Sequence, residues 1–357
     1  MAVIRQLDWK KPIEPKLIDE AEARRIIAAD SEKKVPPGTF EGLETLYRGL
    51  GLMAGDRHLL DLTLDALEGQ ILGFYREDDR SLYIVERSGG IGPIEKYTIS
   101  HELTHALQDQ HFGLGGLGLD AIGEDDRVVA ARALPEGDAS LASLYWVQQN
   151  LSLADLGAIA KAAADPAPQA ALDALPPIVR ESIVFPYVSG LSFVMGLQLR
   201  GGWPAVDAAY RDPPISTEQV LHPERYATHE KPVPVALPAD LTARLGSGWS
   251  LATEDTFGEL GLGVWLRQAN DKAAADAAAS GWGGDRVGLY RGPDGAWAVV
   301  LRTAWDDPTA AARFAAAAKP VVAQLTHASL GADAQGPVVL VGSDDAVLGR
   351  LEATVGG

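Results

Sequence analysis

The chain has 357 residues, a length that favours roughly two domains. Of these residues 46% are hydrophobic and 22% charged, an ordinary globular composition. The net charge of −18 argues against nucleic acid or an anionic membrane as a partner, because both would repel the protein. The absence of cysteine excludes disulfides, thiolate metal ligands and thiol nucleophiles.

The first part of the chain is predicted to be mainly helical. Residues 15–72 have helical character, interrupted by the polar stretches VPPGTFEG and MAGDRH. ILGFYREDDRSLYIVER then predicts a hairpin, because two β-rich runs flank the turn-forming EDDR. A helix is expected from about 93 to 111, since Gly92, Pro93 and Glu95 resemble an N-cap, a proline at the first helical position and a first-turn acid.

The rest of the chain predicts further helices followed by a change of pattern. A helix is expected at about 133–150, then a surface helix with a linker, and then an apolar helix entered at Pro186. From about residue 228, strand-like GDRVGLYR, AWAVVLRTAW and GPVVLVG alternate with helical DPTAAARFAAAAK. We therefore expect an α+β protein, with a mostly helical catalytic region and a small β-sheet or hairpin at 1–227, and a smaller α/β domain at 228–357.

The segment SHELTHALQDQHF contains the H-E-x-x-H pattern at His101, Glu102 and His105. Residues four apart lie on the same face of a helix, so both imidazoles can bind one cation, as tetrahedral zinc requires. Glu102 is rotated by about 100° from His101, which lets its carboxylate reach a water molecule beside the metal and take a proton from it. The pattern also occurs by chance, but the apolar neighbours Ile99 and Leu107 indicate a buried helix whose polar groups face a cleft.

The motif and its surroundings resemble known zinc peptidases. HELTHA, followed by Asp109, is similar to the active-site helix of thermolysin-like enzymes. GFYREDDRSLYIVER, YTISHELTHALQDQHF, ALPEGDAS and STEQVLHPERY are together similar to a bacterial group of H-E-x-x-H proteins, over residues 15–227. This resemblance implies the gluzincin class, in which a glutamate from a second helix is the third zinc ligand.

On this chain the resemblance assigns the third ligand to Glu136 in LPEGDAS. Thermolysin-like enzymes have an aspartate four residues later that orients a zinc-binding histidine, but Ser140 occupies this position here. We expect Asp138 or Asp109 to take that orienting role instead. The competing interpretation of Glu136 is a solvated acid in the first turn of its helix.

His111 follows His105 by six residues, the spacing at which metzincins have their third histidine. Those enzymes need a glycine at the position of Gln108, so that the chain can turn back to the metal. An unbroken helix would rotate His111 by about 240° from His105. We therefore expect His111 near the C-terminal end of the helix and not on the metal.

Amide hydrolysis also needs a hydrogen-bond donor for the negative charge that develops on the substrate's carbonyl oxygen. His222, in STEQVLHPERY, is the first candidate for this catalytic role, and Tyr187, beside Pro186, is the second. A packed side chain with an ordinary hydrogen bond is the competing interpretation for both residues.

The sequence therefore predicts zinc-dependent peptide hydrolysis, with Zn²⁺ bound by His101, His105 and Glu136 and with Glu102 as the general base. Strand 81–87 is expected to form the sheet edge along which a peptide or protein substrate docks. One alternative is a hydrolase of a non-peptide amide or ester with a deep, closed pocket. Another is a non-catalytic metal-containing binding or envelope protein, although a structural metal site has no need of Glu102.

The location of the protein is predicted by the resemblance alone. Similar proteins commonly carry an export signal, which favours the cell envelope or secretion, whereas this N-terminus has no apolar signal region. A cytoplasmic location is the alternative. No run of about 18 apolar residues stands out, so we expect no transmembrane segment, and the oligomeric state stays open.

Overall fold

The structure, a computed structural model, describes residues 1–67, 71–86 and 90–355. The N-terminal elements are α1 (Ala2–Arg5), β1 (Pro15–Ile18), α2 (Glu20–Lys34), α3 (Thr39–Gly49), α4 (Leu59–Leu67), β2 (Gly73–Arg76) and β3 (Ser81–Val85). The middle elements are α5 (Pro93–Phe112), α6 (Asp125–Asn150), α7 (Leu153–Ala163), α8 (Pro166–Asp173), α9 (Pro177–Ala209), α10 (Thr217–Leu221) and α11 (Pro223–Ala227). The C-terminal elements are α12 (Leu241–Leu245), β4 (Ser250–Asp255), α13 (Gly258–Leu266), α14 (Lys272–Ala279), β5 (Trp282–Arg291), β6 (Trp297–Trp305), α15 (Pro308–Val322), β7 (Ala328–Ala332), β8 (Pro337–Gly342) and α16 (Asp345–Val355). The fold is α+β, as the sequence predicted.

Helix α5, which carries the motif, begins and ends where the sequence predicts. Gly92 is the N-cap, Pro93 is the first helical residue, and the Glu95 carboxylate accepts a hydrogen bond from the Gly92 backbone N–H at 2.9 Å. Gly113 ends the helix with a φ of 70°, a left-handed conformation that favours glycine. The helix continues unbroken through Gln108, as expected in the absence of a glycine there.

Helices α6 and α9 touch backbone to backbone. A Cβ atom at Gly190 would lie 2.3 Å from the carbonyl oxygen of Ala133, and a Cβ at Gly137 would lie 2.2 Å from that of Gly190. Only glycine therefore permits this crossing. Around it packs a core of buried apolar side chains from both helices, among them Leu134 and Phe193.

A three-stranded sheet lies beside the motif helix, in the order β1-β3-β2. β2 and β3 form the expected antiparallel hairpin around the turn at 77–80, and β1 pairs with β3 in parallel. β3 is therefore the central strand, and the prediction that it forms the docking edge is wrong. The edge strand next to the motif is β2, because the Tyr75 backbone N–H donates to Glu102 at 2.8 Å. Arg87, the last residue assigned to the predicted strand, lies outside the described residues.

The C-terminal sheet has five strands in the order β4-β5-β6-β8-β7, and each neighbouring pair is antiparallel. Helices cover both of its faces, so successive side chains of one strand enter different cores. On β6, Val299 and Leu301 pack with α13 and α15, whereas Ala298 and Val300 pack with α12 and α16. This two-sided burial explains why these strands read as nearly continuous apolar runs.

The expected boundary at residue 228 does not separate two independent cores. Leu46 and Leu50, at the end of α3, are fully buried among residues of α13 and the C-terminal sheet. The Trp265 indole N–H donates to the Leu50 backbone carbonyl at 3.2 Å. An N-terminal segment thus completes the core of the C-terminal layer.

Two local expectations were inaccurate. Within 15–72, residues 15–18 form β1 instead of helix, because they pair with β3, a long-range contact that local pattern does not record. Residues 68–70 of that stretch lie outside the described residues. Helix α9 begins at Pro177 and continues through Pro186, so Pro186 does not start it.

Helix α9 is also the one described helix that is long and apolar enough to cross a membrane. About a third of its most apolar stretch, 33%, is buried within the protein. A single such helix is weak support for a membrane span, since core helices of soluble proteins meet the same criterion. The expectation of no transmembrane segment accordingly stays a prediction.

We predict that Gly190→Ala destabilises the protein by about 1–3 kcal/mol, because the added methyl group must separate α6 from α9. Gly196→Ala on the same helix is the matched control: its Cβ would approach only the Arg200 side chain, at 3.7 Å. The control should be neutral or stabilising by up to about 1 kcal/mol. Urea unfolding of the two variants measures the difference, and equal stabilities would contradict the backbone contact.

Candidate metal centre

Three predicted ligand atoms converge between α5 and α6. The Nε2 atoms of His101 and His105 lie 3.0 Å apart, and they lie 3.1 Å and 3.3 Å from Glu136 Oε2. His101 and His105 are one turn apart on α5, and Glu136 faces them from α6. The structure thus brings together the three residues that sequence and resemblance assigned to the metal.

The spacing of these atoms fits a zinc ion. Zinc bonds of about 2.0–2.1 Å in tetrahedral geometry place neighbouring ligand atoms about 3.3 Å apart. Two histidines and one glutamate are also a donor set of catalytic zinc sites, which keep a fourth position open. Two imidazole nitrogens at 3.0 Å need either a proton or a cation between them.

The charges of the cluster favour a cation in the same place. Burial lowers the pKa of His105, but the charge and hydrogen bond of Glu136 outweigh burial and raise that pKa to about 10. Burial raises the pKa of Glu136, but His105 and His101 outweigh it and hold that pKa well below its ordinary value. The carboxylate is therefore ionised and paired with a protonated ring, and a divalent cation would compete with that proton.

Glu102 lies beside the cluster without joining it. Its Oε2 accepts the Tyr75 backbone N–H of β2, which fixes the carboxylate between the motif helix and the sheet edge. Burial raises the pKa of Glu102, while the nearby His105 and His101 oppose that rise. A held carboxylate next to a cation site is what a general base requires.

Of the two candidate donors, the structure brings Tyr187 to the cluster. The Tyr187 ring stacks on His101 with a centroid distance of 5.9 Å, and about half of the residue, 46%, is exposed. The negative charge of Glu136, followed by burial, raises the pKa of Tyr187 well above its ordinary value, so its hydroxyl keeps its proton. The contact at Gly190, one turn later on α9, explains how this ring reaches a residue of α6.

His222 lies elsewhere. Its Nε2 is 2.9 Å from Glu259 Oε1 at the start of α13, and its Nδ1 is 3.8 Å from Glu224. It borders a pocket of about 370 Å³ between α9, α13 and α14 and is not a member of the metal cluster. These contacts agree with the competing interpretation, in which His222 is a packed side chain with an ordinary hydrogen bond.

Neither aspartate takes the expected orienting role. Asp138 accepts hydrogen bonds from the fully buried Arg5 at 2.6 Å and from the Tyr210 hydroxyl at 2.8 Å. Asp109 accepts the Tyr75 hydroxyl at 2.9 Å and the Leu114 backbone N–H at 3.2 Å. Both carboxylates are thus used to anchor α6 and α5 to other parts of the protein.

Sequence reasoning missed one residue of the site, Gln108, which lies beside His105. Gln108 Oε1 lies 2.8 Å from His105 Nδ1, and Gln108 is fully buried. The sequence could have indicated this contact, because Gln108 follows His105 by three residues and so lies on the same side of the helix.

His111 is where the sequence predicts, near the end of α5. Its Nε2 lies 2.7 Å from the backbone carbonyl of Asp8, in the N-terminal segment. Among the described residues, no group of potential metal ligands includes His111. The rotation of His111 around the axis of α5 therefore determines what its ring contacts. The six-residue spacing from His105, although it is that of metzincins, does not bring the ring to His101 and His105.

Comparison with known protein families gives a match in the C-terminal layer. Residues 246–354 match the model of a family described as a domain of unknown function (DUF8575). No curated protein and no solved structure matches the chain. The matched segment covers less than half of the chain and does not include His101, His105 or Glu136.

We predict that Glu136→Gln weakens zinc binding by more than about 100-fold, because partners that only touch a ligand already account for about 10–100-fold. His111→Ala should leave zinc affinity unchanged, since this ring contacts the Asp8 carbonyl. Chelator competition on the purified proteins measures both affinities. Loss of zinc from His111→Ala, with Glu136→Gln unaffected, would instead favour a metzincin-like site.

Proposed function

We propose that this protein is a zinc-dependent hydrolase of peptide bonds, of the gluzincin type. The observation that carries the proposal is the convergence of His101, His105 and Glu136 on one point, with ligand-atom separations of 3.0–3.3 Å. The resemblance of the motif helix to zinc peptidases supports the same assignment. A location in the cell envelope or outside the cell belongs to the proposal through that resemblance.

Zinc, when bound, supplies the Lewis acidity that polarises a carbonyl group and acidifies a water molecule. Glu102 accepts the proton of the attacking water and later delivers it to the leaving amine, as general base and then general acid. The Tyr187 hydroxyl, protonated at neutral pH, donates a hydrogen bond to the oxygen on which negative charge develops. These two residues approach the cluster from different sides, Glu102 from α5 and Tyr187 from α9.

A peptide is the substrate class that the surroundings favour. β2 is an edge strand whose residues are all partly exposed, and it borders Glu102 directly. An extended peptide can pair with such an edge through its backbone, which would bring one carbonyl group to the cluster. Because the Tyr75 N–H is already held by Glu102, such pairing would use the remaining backbone groups of β2.

The position of Glu102 also argues against a purely structural metal site. A structural zinc site has four protein ligands and no general base, whereas here a partly buried carboxylate is held next to three proposed ligands by the Tyr75 N–H. A non-catalytic binding protein would not need this arrangement.

The test of the proposal is Glu102→Gln. The amide oxygen of glutamine can still accept the Tyr75 N–H, so we expect normal folding and zinc content. Peptide hydrolysis should fall by at least about 100-fold, because glutamine does not accept a proton from water. Cleavage of a mixed peptide library, followed by mass spectrometry, measures activity. Glu41→Gln, at an exposed position of α3, controls for the loss of one charge.

Wild-type cleavage by Glu102→Gln would refute the mechanism. A zinc-loaded wild-type protein that hydrolyses activated esters but no peptide would favour the non-peptide hydrolase.

Tyr187→Phe should lower kcat for the same peptides by about 100-fold or more, because it removes one preorganised donor and keeps the ring stacked on His101. His222→Phe is the comparison, since its partner is Glu259 and not the cluster. We expect it to keep kcat near the wild-type value. If instead His222→Phe lowers kcat and Tyr187→Phe does not, His222 is the hydrogen-bond donor.

A further inference from the structure

Gln108 links the two helices that carry the proposed zinc ligands. Its Oε1 lies 2.8 Å from Nδ1 of His105 on α5, and its Nε2 donates to the backbone carbonyl of Pro135 on α6 at 3.0 Å. Pro135 immediately precedes the ligand Glu136. The Gln108 side chain is fully buried, so no water competes for these two contacts.

The contact with Pro135 decides which way the Gln108 amide points. A carbonyl oxygen can only accept a hydrogen bond, so the NH₂ group of Gln108 must face Pro135. The amide oxygen then faces His105, and an amide oxygen can only accept. The His105 Nδ1 must therefore carry a proton, whatever the charge of the ring. When the ring is neutral, Nε2 then has the lone pair that a metal can bind.

The other histidine of the motif has no such partner. His101 Nδ1 is buried without a hydrogen-bond partner among the described residues. Asp138 and Asp109, the two acids expected to orient a histidine, are bound elsewhere. The described residues thus hold the Nδ1 atom of His105 by a hydrogen bond, whereas they offer none to the Nδ1 atom of His101.

We propose that Gln108 is the positioning residue of this metal site. It holds His105 with its proton on Nδ1 and Nε2 toward Glu136, and it ties α5 to the backbone just before Glu136. Two of the three ligands are then oriented before a metal arrives. The part of this inference that concerns zinc rests on the proposed function, whereas the part that concerns the His105 ring does not.

The first test is made on the metal-free wild-type protein by ¹⁵N NMR with labelled histidine. The chain has seven histidines, so the spectrum is simple enough to assign by substitution. We expect a slowly exchanging proton on Nδ1 of His105 and none of this kind on His101. A His105 ring whose Nδ1 lacks a proton would overturn the inference, without any reference to zinc or activity.

The second test compares zinc affinities by chelator competition. Gln108→Leu should raise the zinc Kd by about 10–100-fold, the usual effect of losing a partner of a metal-binding histidine. Gln108→Glu keeps an oxygen acceptor for Nδ1, although it no longer donates to Pro135, and should lie much closer to wild type. Gln110→Leu is the matched control, because Gln110 is on the same helix and binds only the backbone of Lys10 and Lys11.

The outcomes separate the two proposals. A wild-type protein that binds zinc, with Gln108→Leu binding it equally well, would overturn the role of Gln108 and leave the proposed function intact. A wild-type protein that binds no zinc would overturn the proposed function, while the NMR measurement still decides whether Gln108 holds His105. Thermal unfolding verifies that Gln108→Leu folds; if it does not, Gln108→Glu and the wild-type spectrum decide.

Discussion

The backbone contact between α6 and α9 is the constraint on which the candidate site depends. At Gly137 and Gly190 the helices approach so closely that a methyl group on either glycine would overlap a carbonyl group. The neighbouring residue on α6 is Glu136, and the residue one turn earlier on α9 is Tyr187. The same crossing therefore brings the proposed metal ligand and the proposed hydrogen-bond donor near each other. Helices separated by ordinary side chains pack about 8–10 Å apart, so the glycine crossing brings Tyr187 of α9 closer to Glu136 of α6 than such packing would.

Polar groups around the cluster hold it from three directions. The Tyr75 N–H fixes Glu102, Gln108 fixes His105, and Arg5 with Tyr210 fixes Asp138 two residues after Glu136. Arg5 lies over the Trp203 ring at 4.4 Å and is fully buried, so removal of either partner in the Arg5–Asp138 pair would cost about 3–5 kcal/mol. The N-terminal turn of the chain therefore stabilises the helix that carries Glu136, although it is remote from the motif in sequence.

The sequence predicted what depends on local pattern and failed where long-range contacts decide. The ends of α5 follow from Gly92, Glu95 and Gly113, and the helical phase of His111 follows from Gln108, so both were predictable. Residues 15–18 became a strand only because they pair with β3. The role of Gln108 depends on a carbonyl 27 residues away, and the partners of Asp138 are Arg5 and Tyr210, which no spacing rule connects to it.

The burial of α3 in the C-terminal layer bears on what a fragment of this protein would be. Leu46 and Leu50 cover apolar side chains of the segment 246–354, which also matches a family model. Cut away from the rest of the chain, that segment would expose the surface that the two leucines cover, at a cost of about 1.5–3 kcal/mol for each leucine. An exposed apolar surface favours association with other apolar surfaces. After proteolysis near residue 245, the N-terminal and C-terminal fragments would thus stay associated through this apolar surface and would not separate into two free domains.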